Sequence, residues 1–84
     1  MKRDTMKPKI KVYGAKSCSD TRRARQFLDG RKIPYAWFDV DEDPDALSLI
    51  KSVNNGNRTT PTIFFEDGNI LFEPSDEALA EKLG

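Results

Sequence analysis

The sequence predicts an α/β fold in which a four-stranded mixed sheet is sandwiched between helices in three layers, with the element order β-α-β-α-β-β-α. Three observations carry that expectation. Residues 9–13 alternate at period two before Gly14; the run from Ser19 switches to helical spacing; and Asp67 and Gly68 separate two short runs of β-forming residues. A chain of 84 residues has room for a single domain, near the size at which folding buries about 60% of the unfolded surface.

Residues 1–8 hold Lys2, Arg3, Asp4 and Lys7 and show no apolar periodicity, so a mobile tail is expected there and the folded domain over residues 9–84. The first strand is residues 9–13. In the first helix Ala24, Phe27 and Leu28 form the apolar stripe, while Arg22, Arg23, Arg25, Gln26 and Asp29 take the other faces. That is about three turns, and Gly30 stands where a left-handed helix end is expected. Residues 35–40 are aromatic and β-forming, with Pro34 setting their start, and make the second strand. Asp43 and Pro44 then supply an N-cap and a first-turn proline, followed by Ala46, Leu47, Ile50 and Val53 on one stripe; the helix should stop before Asn54, Asn55 and Gly56. Residues 62–66 and 69–72 flank the Asp67 and Gly68 pair, a two-residue hairpin signal that makes strands three and four antiparallel neighbours. Pro74, Ser75, Asp76 and Glu77 open the last helix with a cap and acidic residues, and Leu79 and Leu83 pin it to the core. A right-handed first crossover makes the first two strands parallel. This order is that of a thioredoxin-like sandwich.

Composition removes several function classes. Fourteen Lys and Arg balance fourteen Asp and Glu, so the broad basic surface of a nucleic-acid binder is missing. Mean hydropathy is -0.68, and no uninterrupted apolar run exceeds Ile63, Phe64 and Phe65, which leaves neither a membrane-spanning helix nor a signal-peptide core. A soluble cytoplasmic monomer is expected, with no nucleic-acid and no membrane partner. The sequence has no histidine and one cysteine. It therefore lacks the parts for a Ser-His-Asp or Cys-His pair, for a nitrogen and sulfur zinc site, and for an intrachain disulfide. No metal and no bound cofactor are expected, and an apolar core without disulfides suits a reducing compartment.

The one cysteine, Cys18, lies between a strand and the start of a helix, where unpaired N–H groups and the helix dipole favour a thiolate. Lys16, Arg22 and Arg23 add positive charge nearby, whereas Asp20 opposes ionisation unless it faces away or pairs with an arginine. Cysteine is also common as a buried space-filler, but residues 16–20 are polar on both sides of Cys18. Thr60, Pro61 and Thr62 stand ahead of the third strand. A cis bond before Pro61 would turn the Thr60 backbone toward the Cys18 loop and offer its N–H and C=O to a peptide-like ligand; a trans proline would simply begin the strand.

These residues together resemble the glutaredoxins, and within them the actinobacterial mycoredoxin-like branch. The resemblance rests on Tyr13 and Gly14 leading to Cys18, Ser19, Asp20 and Thr21, on Arg58, Thr59, Thr60, Pro61 and Thr62, on the Asp67 and Gly68 hairpin, and on Ser75 and Asp76; it covers residues 9–84. It implies that Cys18 is the nucleophile, that Arg58 holds a carboxylate of glutathione, and that Thr60, before Pro61, pairs its backbone with the cysteinyl part of the ligand. Ser75 and Asp76 would receive the γ-glutamyl end, and Lys16 is displaced by one position from the family's basic residue. The family's second active-site cysteine is replaced by Thr21, which implies a monothiol enzyme. Glu73 and Pro74 stand where many members have paired glycines, and the Cys-Gly-Phe-Ser motif of iron-sulfur carriers is absent.

The resemblance therefore implies a thiol-disulfide oxidoreductase that reduces mixed disulfides on proteins, with glutathione or mycothiol as co-substrate. Two other readings stand beside it. Loss of the second cysteine could mark a non-catalytic thioredoxin-fold binding module. The run Thr21, Arg22, Arg23, Ala24, Arg25 after Cys18 also resembles the start of thioredoxin-fold arsenate reductases, whose chains are longer and carry further anion-binding arginines.

Overall fold

The computed structural model describes residues 9–84; the tail expected over residues 1–8 lies outside the described residues. Its elements are β1 (Lys11–Gly14), α1 (Ser19–Gly30), β2 (Ala36–Asp39), α2 (Pro44–Ser52), β3 (Thr62–Phe64), β4 (Ile70–Phe72) and α3 (Asp76–Leu83). The sheet order is β2-β1-β3-β4. β1 and β2 run parallel with Lys11 opposite Ala36, while β3 runs antiparallel to both β1 and β4. The expected βαβαββα thioredoxin-like sandwich is the fold observed.

Period-two alternation divides the sheet into two faces. Ile10, Val12, Ile63 and Phe65 meet Ala24 and Leu28 of α1 and Leu79 of α3, with Phe27, Ile33 and Leu83 packed around them. On the opposite face Tyr13 and Val40 meet Ala46 and Ile50 of α2. Tyr13 stacks on Phe38 with ring centroids 4.4 Å apart and meets Phe64 edge-on at 5.2 Å. No described helix is long and apolar enough to cross a membrane.

The helix starts follow their capping residues. The Asp43 carboxylate accepts from the N–H groups of Asp45 and Ala46, with Pro44 at the first position, and the Ser75 hydroxyl accepts from Ala78 N–H at 3.0 Å. Two local expectations are corrected. Gly30 stays helical, and the left-handed residue is Lys32, at φ 57°. Lys32 N–H donates to Asp29 O at 3.0 Å and Ile33 N–H to Leu28 O at 2.9 Å, the double bond pattern of a Schellman end. Left-handed backbone costs a side-chain-bearing residue roughly 1–2 kcal/mol, and the compensation here is Ile33 packing back onto the core that holds Leu28. The hairpin is also wider than expected. Gly68 N–H donates to Phe65 O and Phe65 N–H to Asn69 O, so Glu66, Asp67 and Gly68 form a three-residue loop and the strands end at Phe64 and Ile70. A two-residue type I′ turn needs positive φ at both central residues; of this pair, Gly68 alone has it, at 92°.

Candidate active site around Cys18

The β1–α1 connection is short because Cys18 N–H returns to Ala15 O at 3.0 Å, and the helix begins when Arg22 N–H donates to Cys18 O at 3.1 Å. Cys18 is thus the N-cap of α1, with extended backbone at φ −83° and ψ 121°. Its side chain occupies the place where a capping oxygen usually accepts from the first-turn N–H groups. It is half-buried, so the space-filling alternative does not describe it.

Across from Cys18 lies the segment that enters β3. Cys18 Sγ stands 3.7 Å from Thr60 O, the Thr60–Pro61 peptide bond is cis, and Pro61 is fully buried. This segment is anchored on three sides. Thr62 Oγ1 donates to Thr59 O at 2.7 Å, Asn54 Nδ2 donates to Thr59 Oγ1 at 2.6 Å, and Glu73 N–H donates to Pro61 O at 2.7 Å. The Cys18 thiol is therefore held between a helix N-terminus and a braced loop.

Partial burial pushes the thiol pKa up, but four hydrogen-bond donors outweigh it and bring the pKa below the ordinary thiol value. They are the Thr60 and Thr21 hydroxyls and the backbone N–H groups of Thr21 and Asp20. The two protonation states use different partners. The neutral S–H can donate to Thr60 O, whereas the thiolate accepts from the hydroxyls and N–H groups. The basic side chains expected to acidify the thiol are not among these influences. Lys16 is exposed and its carbonyl accepts from Arg22 Nη1 at 2.9 Å, so water screens both cations.

Asp20 is held by an arginine. Arg23 Nη1 donates to Asp20 Oδ1 at 2.8 Å, its Nη2 donates to Pro74 O at 3.3 Å, and its Nε lies 3.5 Å from Asp76 Oδ1. Asp76 and the Ser75 cap are thereby joined to the first turn of α1. Arg58 is exposed and paired with Asp41, in the turn after β2. The structure brings Cys18, Thr21, Thr60 and Pro61 together, links Ser75 and Asp76 to them through Arg23, and places Lys16 and Arg58 on the surrounding surface.

Sequence reasoning named Arg23 as a source of charge and missed it as a link between helices; the Asp20 and Arg23 spacing of three was a usable signal. Asp41 was missed altogether, because its partner lies 17 residues away and no local pattern marks the pair. Among the described residues, no three His, Cys, Asp or Glu side chains cluster as a metal site.

A family model described as Glutaredoxin matches residues 10–70. A Mycobacterium tuberculosis protein assigned as a glutaredoxin is 34% identical over 74 residues, covering 88% of this chain and 88% of the relative. Mycoredoxin 1 of Corynebacterium glutamicum is 37% identical over 65 residues, covering 77% of this chain and 80% of the relative. A thioredoxin-like protein of known crystal structure superimposes with a TM-score of 0.76 at 27% identity, over 87% of this chain and 97% of that one.

Proposed function

The chain belongs to the glutaredoxin family of thiol-disulfide oxidoreductases, and we propose that it reduces mixed disulfides between a low-molecular-weight thiol and a protein by a monothiol mechanism through Cys18. The observation that carries this reading is a half-buried thiol at the N-cap of α1, 3.7 Å from Thr60 O beside the cis Thr60–Pro61 bond, in a sequence with no second cysteine.

The Cys18 thiolate attacks the sulfur of the small thiol in the mixed disulfide. A new disulfide forms between Cys18 and the small thiol, the original S–S bond breaks, and the protein thiolate leaves with the electron pair and takes up a proton from water. A second small-thiol anion then attacks the small-thiol sulfur of the adduct, releasing the symmetrical small disulfide and restoring the Cys18 thiolate. The electrons lost by two small thiols equal those gained by the disulfide.

Thr60 and Pro61 flank the adduct and Ser75 and Asp76 meet one polar end; Lys16 and Arg58 meet the anionic end of a carboxylate-bearing thiol such as glutathione, whereas mycothiol has no carboxylate to offer them. The Thr21 hydroxyl steadies the thiolate but cannot displace the adduct. The likeness to a mycoredoxin favours mycothiol over glutathione as the small thiol, and S-thiolated proteins in a reducing cytoplasm as substrates. A monomer suffices for every step.

Intact-mass measurement tests the reading. Incubation with mycothiol disulfide or glutathione disulfide should add one thiol to the parent chain and none to Cys18→Ser. Turnover of an S-thiolated protein should then follow with the matching thiol and its reductase. An unmodified parent chain, or an adduct that excess thiol fails to remove, would refute it.

A further inference from the structure

The Arg23 guanidinium presents three nitrogens to three acceptors on two elements: Nη1 to Asp20 Oδ1 at 2.8 Å on α1, and Nη2 to Pro74 O at 3.3 Å and Nε toward Asp76 Oδ1 at 3.5 Å at the head of α3. The planar fork of arginine can meet these directions at once, whereas the single ammonium of lysine cannot. Arg23 is half-buried where it lies between the two helices.

We propose that Arg23 is a positioning residue for the chemistry of Cys18. It cancels the carboxylate of Asp20 two residues from the sulfur, and it fixes the Cys18 turn of α1 against residues 74–76. Through this pair the first helical turn presents its N–H groups to the sulfur without an opposing charge. The side-chain influences on Cys18 agree: Asp20 acts through its backbone N–H, which lowers the thiol pKa, and its carboxylate is not among them.

The other charged groups around the turn have different engagements. Lys16 lies in the preceding loop and Arg22 donates to its carbonyl; Arg58, ahead of β3, pairs with Asp41. Glu73 is exposed, and its backbone N–H is bound to Pro61 O. Asp76 is Arg23's second carboxylate partner. Arg23 is therefore the cation that faces Asp20.

This proposal rests on Cys18 as the reacting group but needs no turnover to test. The rate of Cys18 alkylation against pH reads thiolate formation directly. Arg23→Ala should move the inflection up by about half a pH unit, roughly a threefold loss of thiolate well below it. Arg23→Lys should restore most of the shift, because an ammonium still neutralises Asp20. Arg23→Ala combined with Asp20→Asn should return the inflection to the parent value or below, and Asp20→Asn alone should leave it near the parent.

An unmoved inflection in Arg23→Ala would overturn the proposal. So would an equal rise in the double variant, because the carboxylate would then not be what Arg23 controls. A parent chain that titrates as described yet reduces no mixed disulfide refutes the proposed function and leaves the Arg23 assignment standing.

Discussion

A Cβ on Gly14 would stand 2.6 Å from Cγ2 and 2.7 Å from Oγ1 of Thr21, so the last residue of β1 must be glycine for the first turn of α1 to lie where it does. Thr21 is fully buried in that contact, and its Oγ1 accepts from Ala15 N–H at 3.4 Å. The position three residues after Cys18 is thus a packing position as well as a chemical one.

Gly14→Ala should destabilise the fold by about 1–3 kcal/mol, the usual cost of forcing atoms into a packed site. Thr21→Ala in the same chain removes the two closest atoms and should recover much of the loss, since Thr21 Cβ lies 3.2 Å away. Urea unfolding of the parent, both single variants and the double measures this coupling. Additive losses would show that the two residues do not compete for one space.

Thr21→Cys should shorten the lifetime of the Cys18 adduct. Residues 18 and 21 lie on one helical turn, so a thiol introduced there can attack Cys18 Sγ, form an internal disulfide and expel the small thiol. Time-resolved intact mass should show the added thiol appear and then vanish without external reductant. An adduct as long-lived as the parent's would place the two sulfurs out of reach.

The acidified thiol makes stability depend on pH with a definite sign. Burial raises the Cys18 pKa and the four hydrogen bonds lower it further than burial raises it, so the folded value lies below the ordinary one. Between these values the folded chain holds fewer protons than the unfolded chain, and stability rises with pH. The gain is full above the ordinary thiol value and is lost as pH falls through the folded value. The stability of the reduced parent relative to Cys18→Ser should therefore increase with pH across that interval. A constant difference would mean that the thiolate gains nothing from the fold.

Arg58→Glu should leave stability within about 1 kcal/mol of the parent, because an exposed ion pair contributes little, and Arg58 meets Asp41 in water. Capture of a thiol bearing a carboxylate should weaken, seen as a higher KM at similar kcat. A thiol without a carboxylate should be affected less. Equal kinetics with both thiols in parent and variant would remove Arg58 from the proposed groove.

The sequence by itself determined the element order and the place of Cys18, because alternation, helical spacing and caps act over a few residues. Asp43 with Pro44, and Ser75 with Asp76, begin their helices as local chemistry requires, and Gly14 followed by a polar loop puts Cys18 at a helix start. Family likeness marked Thr21 as the missing second cysteine. The tertiary structure decided what short-range patterns do not contain. Lys32 rather than Gly30 turns left-handed, since Ile33 must reach the core around Leu28. The lowered pKa of Cys18 comes from the hydroxyls of Thr60, 42 residues away, and of Thr21, and from N–H groups of its own helix, rather than from the exposed cations beside it. Asp20 is silenced by an arginine whose other contacts lie 51 residues on, at Pro74, and on Asp76. Each of these choices depends on which distant groups the packed core brings within hydrogen-bond range, a matter that no pattern over a few residues contains.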